Sequence, residues 1–291
     1  MKAIRLGLRA AAANARLLWW LLAANLALAA CAMAPLMRPL EDSLARHEAA
    51  AEMARRFDTS WWLDVTTSRA EAFAAALDAA GFAALLSALL GCFFAGGLLQ
   101  AYHDTLSDLP MDRFMTSCRR WVARFVFLFA LSLPVYWLVH RMVNYHLALA
   151  LDDLMERVVD ERTGLALNLG RALLFLALFD LVTLAADYAR VHAIVKADRS
   201  MLSSLSAGLR FVLGHPWRAG SQECVAVALQ ALALALFIPL DALVARAGGT
   251  VAGVVLALIA GQSFVLMRLF LRESARAAQV AAYRAFLSDS R

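Results

Sequence analysis

The chain has 291 residues, of which 62% are apolar and 18% charged, with a mean hydropathy of +0.65. Soluble domains hold about 45–50% apolar and ~25% charged residues, so this composition excludes a soluble globular domain and a disordered chain. The 14 Gly and 6 Pro have no period, which excludes a collagen-like or low-complexity chain, and a polytopic membrane protein is the class that remains.

Crossing ~30 Å of hydrocarbon at 1.5 Å per residue takes about 20 apolar residues. Six stretches meet that need. The sequence therefore reads as an all-α polytopic bundle, one transmembrane domain over 1–291, with six transmembrane helices plus amphipathic surface helices. The first span is expected over 17–36, ended by Pro35 and Pro39. Inside it, Leu28-Ala29-Ala30-Cys31 has the lettering of a lipoprotein cleavage site. The sixteen-residue basic lead, Asn25 within the apolar part and the apolar run continuing past Cys31 favour an uncleaved span. Leu40, Leu44, His47, Ala51 and Ala54 then form a helical stripe, and Trp61 and Trp62 sit where an interfacial aromatic anchor belongs. Ser68 followed by Glu71 is a capping box, so the second helix is expected to start near Ser68 and to span about 79–101.

The third span is expected over 125–143, kinked at Pro134. Tyr145 to Val159 places Leu147, Leu151, Leu154 and Val158 on one face, which is expected to pack against the bundle, with the outer leaflet surface as the alternative. The fourth span covers 169–188. Next comes an amphipathic helix over Arg199–Leu213 with the stripe Leu202, Leu205, Leu209 and Val212. Asp198 or Ser200 should cap it, and Gly214 and Pro216 should end it. The fifth and sixth spans cover 224–243 and 250–271.

Lys and Arg set the orientation. Of the 28 cationic residues, 26 are Arg, and 18 fall in the N-terminal lead, the second-to-third and fourth-to-fifth connections and the C-terminal tail. The opposite side holds 10 cations and 14 of the 23 acids. Both termini are therefore expected in the cytoplasm, with the protein multi-pass in a bacterial inner membrane. The net charge of +5 follows from this asymmetry and is spread over span ends, so the bilayer is the expected partner and nucleic acid is not.

No phosphate-cradling loop, HExxH, GxSxG or dinucleotide fingerprint occurs, so no catalytic residue and no cofactor are assigned. Cys31, Cys92, Cys118 and Cys224 form no CxxC, and His140 and His146 fall on different helix faces, so no metal is expected. Polar residues at membrane depth are more informative. Asp180, Thr183, Asp187 and Arg190 mark one face of the fourth span from its middle to its arginine-rich end. Asn25, Gln230 and Gln262 are candidate donors to this intramembrane network, and Arg124 or Arg268 are candidate partners for Asp187. Small residues recur every four positions at Ala79, Ala83, Ser87, Gly91 and Ala95. The row Gly249, Gly253, Ala257 and Gly261 repeats the pattern and is read as a helix-packing ridge, with homo-oligomerisation as its sharper use.

Asp187-Tyr188-Ala189-Arg190, then Ser206-Ala207-Gly208-Leu209-Arg210-Phe211-Val212 and His215-Pro216, resemble a stretch recurring in six-helix bacterial membrane proteins of unknown role. These look distantly like the membrane region ahead of glycerophosphodiester phosphodiesterase domains. The resemblance implies six helices and carries over no functional residue. The functional expectation is a non-enzymatic component that packs with a membrane partner or docks a cytoplasmic one. The alternatives are a small transporter using the Asp180 stripe and an intramembrane enzyme.

Overall fold

The computed structural model describes residues 2–45, 59–104, 110–155, 161–246 and 251–289. The fold is all-α. In chain order the helices are α1 (Lys2–Ala13), α2 (Ala15–Ala45), α3 (Thr59–Ser68), α4 (Ala70–Asp104) and α5 (Met111–Arg141). A π-helical segment, Met142–His146, leads into α6 (Leu147–Met155). Then follow α7 (Glu161–Val195), α8 (Met201–Gly214), α9 (Pro216–Arg246) and α10 (Val251–Asp289). Among the described residues, six helices are long and apolar enough to cross a membrane: α2, α4, α5 with its continuation, α7, α9 and α10. The protein is thus a multi-pass membrane protein. Several spans overshoot the need: the 35 residues of α4 and of α7 rise about 52 Å against ~30 Å of hydrocarbon.

One boundary differs from expectation and two are refined. Helix α2 runs through Pro35 and Pro39 and ends at Ala45. A proline removes one i→i−4 hydrogen bond, and a spanning helix tolerates that loss where neighbouring groups re-satisfy the carbonyl. Helix α4 opens at Ala70, two residues after Ser68, because Ser68 itself closes the short helix α3 that holds Trp61 and Trp62. Helix α5 continues through Pro134 and changes to π geometry at Met142. Of the expected outer stripes, His47, Ala51, Ala54 and Val158 lie outside the described residues.

The single transmembrane domain expected over 1–291 is laid out as two compact units. One gathers Met1–Gly91 and Glu223–Ala278, the other Cys92–Leu106, Pro110–Gln222 and Gln279–Arg291. In the first, Asn14 separates α1 from α2, its side-chain amide donating back to the Ala10 carbonyl at 2.9 Å. Helix α1 lies directly on α10, for a Cβ at Gly7 would collide with the backbone of Ser274 and Ala278. Helix α2 buries Leu17, Leu18, Leu21 and Leu22.

In the second unit, α5 buries Phe114, Cys118, Trp121, Phe125, Leu128 and Ser132. Their alternating steps of four and three make a heptad seam. The end of α4 meets that seam at Gly96 and Gly97, where a Cβ would come within 2.8 Å of Trp121 and 2.5 Å of Phe114. Helix α7 ends in a Schellman cap: Asp198 N–H donates to the Ala193 carbonyl and Ala197 N–H to Ile194. Ala197 takes the left-handed conformation this cap requires, with φ of 50°. Ser200 then caps α8, its hydroxyl accepting from Ser203 N–H at 3.3 Å. Helix α8 turns toward the rest of its unit a face that shares Val212 with the leucine stripe but not Leu202 or Leu209. Met201, Ser204, Gly208, Phe211 and Val212 are buried, while Leu202 and Leu209 are 60% and 43% exposed. Gly208 decides this, because only a glycine lets α8 approach the backbone of α7 at Ala185 and Ala189.

Candidate functional site

The polar stripe of α7 is built as the 3.6-residue period dictates. Thr183 and Asp187 stand three and seven residues beyond Asp180 on one face. Tyr136 of α5 reaches this face, with its hydroxyl 3.0 Å from the Thr183 hydroxyl, which itself donates to the Phe179 carbonyl at 2.9 Å. Asp187 pairs with Arg190 of its own helix, Nη1 to Oδ1 at 2.6 Å. This corrects the expected pairing with Arg124 or Arg268. A neighbour three residues on in a formed helix is placed without ordering further chain. Arg124 instead lies over the Trp121 ring at 5.0 Å and donates to the Asp198 carbonyl at 3.5 Å, and Arg268 stacks over Phe264. Asp180 is exposed and makes no hydrogen bond or ion pair among the described residues. Leu173 and Leu176, seven and four residues earlier on the same helix face, are also exposed.

At the arginine-rich end of the same unit, an aromatic cluster joins α7, α8 and the last turns of α10. Tyr188 packs on Phe211 with ring centroids 4.6 Å apart, and Phe211 lies 5.0 Å from both Tyr283 and Phe286. His215 joins Phe286 at 4.8 Å. His192 Nδ1 is hydrogen-bonded to the Tyr283 hydroxyl at 2.7 Å, and Arg284 donates to the His103 carbonyl at 2.8 Å, closing the end of α4. In the turn before α8, Asp198 accepts from Ser200 N–H at 3.0 Å. That bond, with the hydroxyls of Ser203 and Ser204, holds its carboxyl below the usual carboxylate range. The charged form is the one bonded, so its stabilisation holds above the unfolded value and fades as pH falls through the lowered one. Tyr188, Phe211 and His215, one from each of the segments Asp187–Arg190, Ser206–Val212 and His215-Pro216, meet in this cluster.

In the other unit, Asn25 of α2 and Gln230 of α9 share a cleft of about 180 Å³ with Val265, Arg268, Leu269 and Arg272 of α10. The Asn25 amide donates to the Leu21 carbonyl at 2.7 Å. Next along α10, Glu273 is fully buried. Its Oε1 accepts from Arg276 at 2.7 Å and stands 3.5 Å from Arg272 Nε, while its Oε2 is buried without a hydrogen bond. Gln262, one helical turn before Leu266, has a buried Oε1 without a hydrogen bond.

The structure thus brings Asn25 together with Gln230 in one unit and Asp180 together with Thr183 and Asp187 in the other. Of the ridge, Gly253 is buried, Gly261 faces open space and Gly249 lies outside the described residues. Close helix approaches occur at Gly7, Gly96, Gly97 and Gly208 among the described residues. Among the described residues, no three His, Cys, Asp or Glu side chains gather in a way that could hold a metal ion. Comparison of the chain with protein-family models, with curated proteins and with solved structures finds no match.

Proposed function

We propose that the protein is a non-enzymatic, multi-pass component of the bacterial inner membrane, with both termini cytoplasmic. In this reading it docks a partner helix along the α7 face that carries Asp180. One observation carries the proposal: Asp180 stands exposed near the middle of a spanning helix, without a hydrogen bond among the described residues. A carboxylate at that depth costs ~2.5–3.5 kcal/mol on insertion scales. Leu173 and Leu176 on the same face suit lipid or another helix, but lipid tails offer the carboxylate nothing. A helix bringing an amide, hydroxyl or guanidinium donor satisfies both. Thr183 and Asp187, which extend the polar face toward the arginine-rich end, support transport as the second reading.

A photo-reactive residue at Leu176 tests the docking. It should give one discrete protein adduct in native membranes, kept by Asp180→Asn and lost with Asp180→Leu. Because no partner among the described residues is stranded, the purified Asp180→Leu variant should be at least as stable as wild type. Adducts to lipid alone, or adducts indifferent to Asp180→Leu, refute docking. A well-folded Asp180→Asn variant that fails to complement the deletion strain makes transport the leading reading.

The orientation is checked separately in a cysteine-free background. A Cys introduced at Ser43 should label from outside intact cells, and one at Ser288 only after permeabilisation. The reverse pattern places the termini outside.

A further inference from the structure

We propose that the cleft between α2, α9 and α10 binds a phosphate anion, supplied by the headgroup of an anionic phospholipid. Its six lining residues contribute two guanidinium groups, two carboxamides and two apolar side chains, and no carboxylate. Guanidinium forks match phosphate oxygens bidentately, and carboxamide N–H groups add neutral donors. The nearby acid, Glu273, lies outside the lining, its Oε1 2.7 Å from Arg276 Nη1 and 3.5 Å from Arg272 Nε. Along this stretch of α10 the sequence holds three arginines, Arg268, Arg272 and Arg276, and a single acid, Glu273.

Size and place select the ligand. The cleft, at about 180 Å³, is several times the ~30 Å³ share of one water and below the ~300 Å³ at which drug-sized pockets begin. It fits a headgroup rather than a bulky cargo. Arg268 and Arg272 are exposed where the apolar run of α10 gives out, at headgroup level, and Asn25 and Gln230 stand deeper on spanning helices. With the orientation proposed above, this end faces the leaflet rich in anionic lipid, and basic pockets between spanning helices on that side take such headgroups.

Delipidated protein in neutral detergent is titrated with phosphatidylglycerol, phosphatidylcholine or inorganic phosphate, read by native mass spectrometry and by thermal unfolding. Wild type should retain phosphatidylglycerol and unfold at a higher temperature with it, and phosphatidylcholine should do neither. Losing two charge-assisted contacts in Arg268→Gln/Arg272→Gln should weaken retention by about tenfold or more. Gln230→Leu, which keeps both charges, should weaken it by a smaller factor. Elution volume checks that each variant is folded. Stabilisation by inorganic phosphate equal to that by the lipid keeps the site and assigns its anion to solution. Equal retention by wild type and both folded variants overturns the proposal, as does wild-type indifference to every anion. Because Asp180 is untouched in these variants, the outcome is independent of the docking test.

Discussion

Gly208→Leu is expected to detach α8 from α7 and to cost about 3 kcal/mol, the upper part of the range for overpacking a close contact. A Cβ at this position would lie 2.7 Å from the Ala185 carbonyl oxygen, 2.7 Å from the Ala189 nitrogen and 3.1 Å from its Cα. All three are backbone atoms of a helix, so no side chain can rotate away and α8 must lift. Phe211, one turn further on, would then leave Tyr188 and Tyr283, dismantling the aromatic cluster that also seats His192. Gly208→Ala should show a smaller loss of the same sign. Gly220→Ala supplies the contrast: a Cβ there meets nothing within 4 Å, so better helix propensity should stabilise by about 0.5–1 kcal/mol. Unfolding of the purified variants, followed by circular dichroism, reads both signs. If Gly208→Ala and Gly220→Ala shift stability alike, the helices do not approach closely at Gly208.

What was legible in the sequence follows from what each feature depends on. The six spans rest on length and apolarity, which are properties of single segments, and all six appear. The Ser200 cap was equally readable, because a cap is local. The Asp187–Arg190 pair also obeys a local rule, the i,i+3 spacing, although the candidates named for Asp187 were the distant Arg124 and Arg268. The face that α8 turns to α7 was not legible, because leucines outweigh a glycine in any hydrophobic stripe. Close approach depends on the partner helix, and nothing near Gly208 in sequence announces Ala185 and Ala189. The Tyr283 that meets His192 is 91 residues away in a tail helix with no local signal. Asn25 and Gln230 each read as a solitary amide in an apolar run. Only the packing of α2, α9 and α10 turns them, with two arginines, into one cleft.

Arg276→Leu is expected to cost about 3 kcal/mol, near the lower end of the 3–5 kcal/mol seen when one partner of a buried ion pair is removed. Glu273 has 0% exposure, and its Oε2 already lacks a hydrogen bond. Without the 2.7 Å bond from Arg276, the carboxylate would keep only Arg272 Nε at 3.5 Å, from a side chain half exposed to its surroundings. That residual pairing is why the lower end of the range applies. Glu273→Leu should cost less than Arg276→Leu, since the Arg276 side chain is 20% exposed and can extend toward water, whereas the Glu273 carboxylate, at 0% exposure, cannot. The double variant Glu273→Leu/Arg276→Leu should recover most of the loss, because both desolvated charges are gone and the volume is retained. Helix α1 lies on the next turn of α10, at Ser274 and Ala278, so the defect in Arg276→Leu should also loosen the N-terminal helix. Faster hydrogen exchange across Lys2–Ala13 in Arg276→Leu, reversed in the double variant, is the expected signature. A double variant no better than the worse single one would show that the ion pair is a net source of stability rather than a charge held in place by its partner.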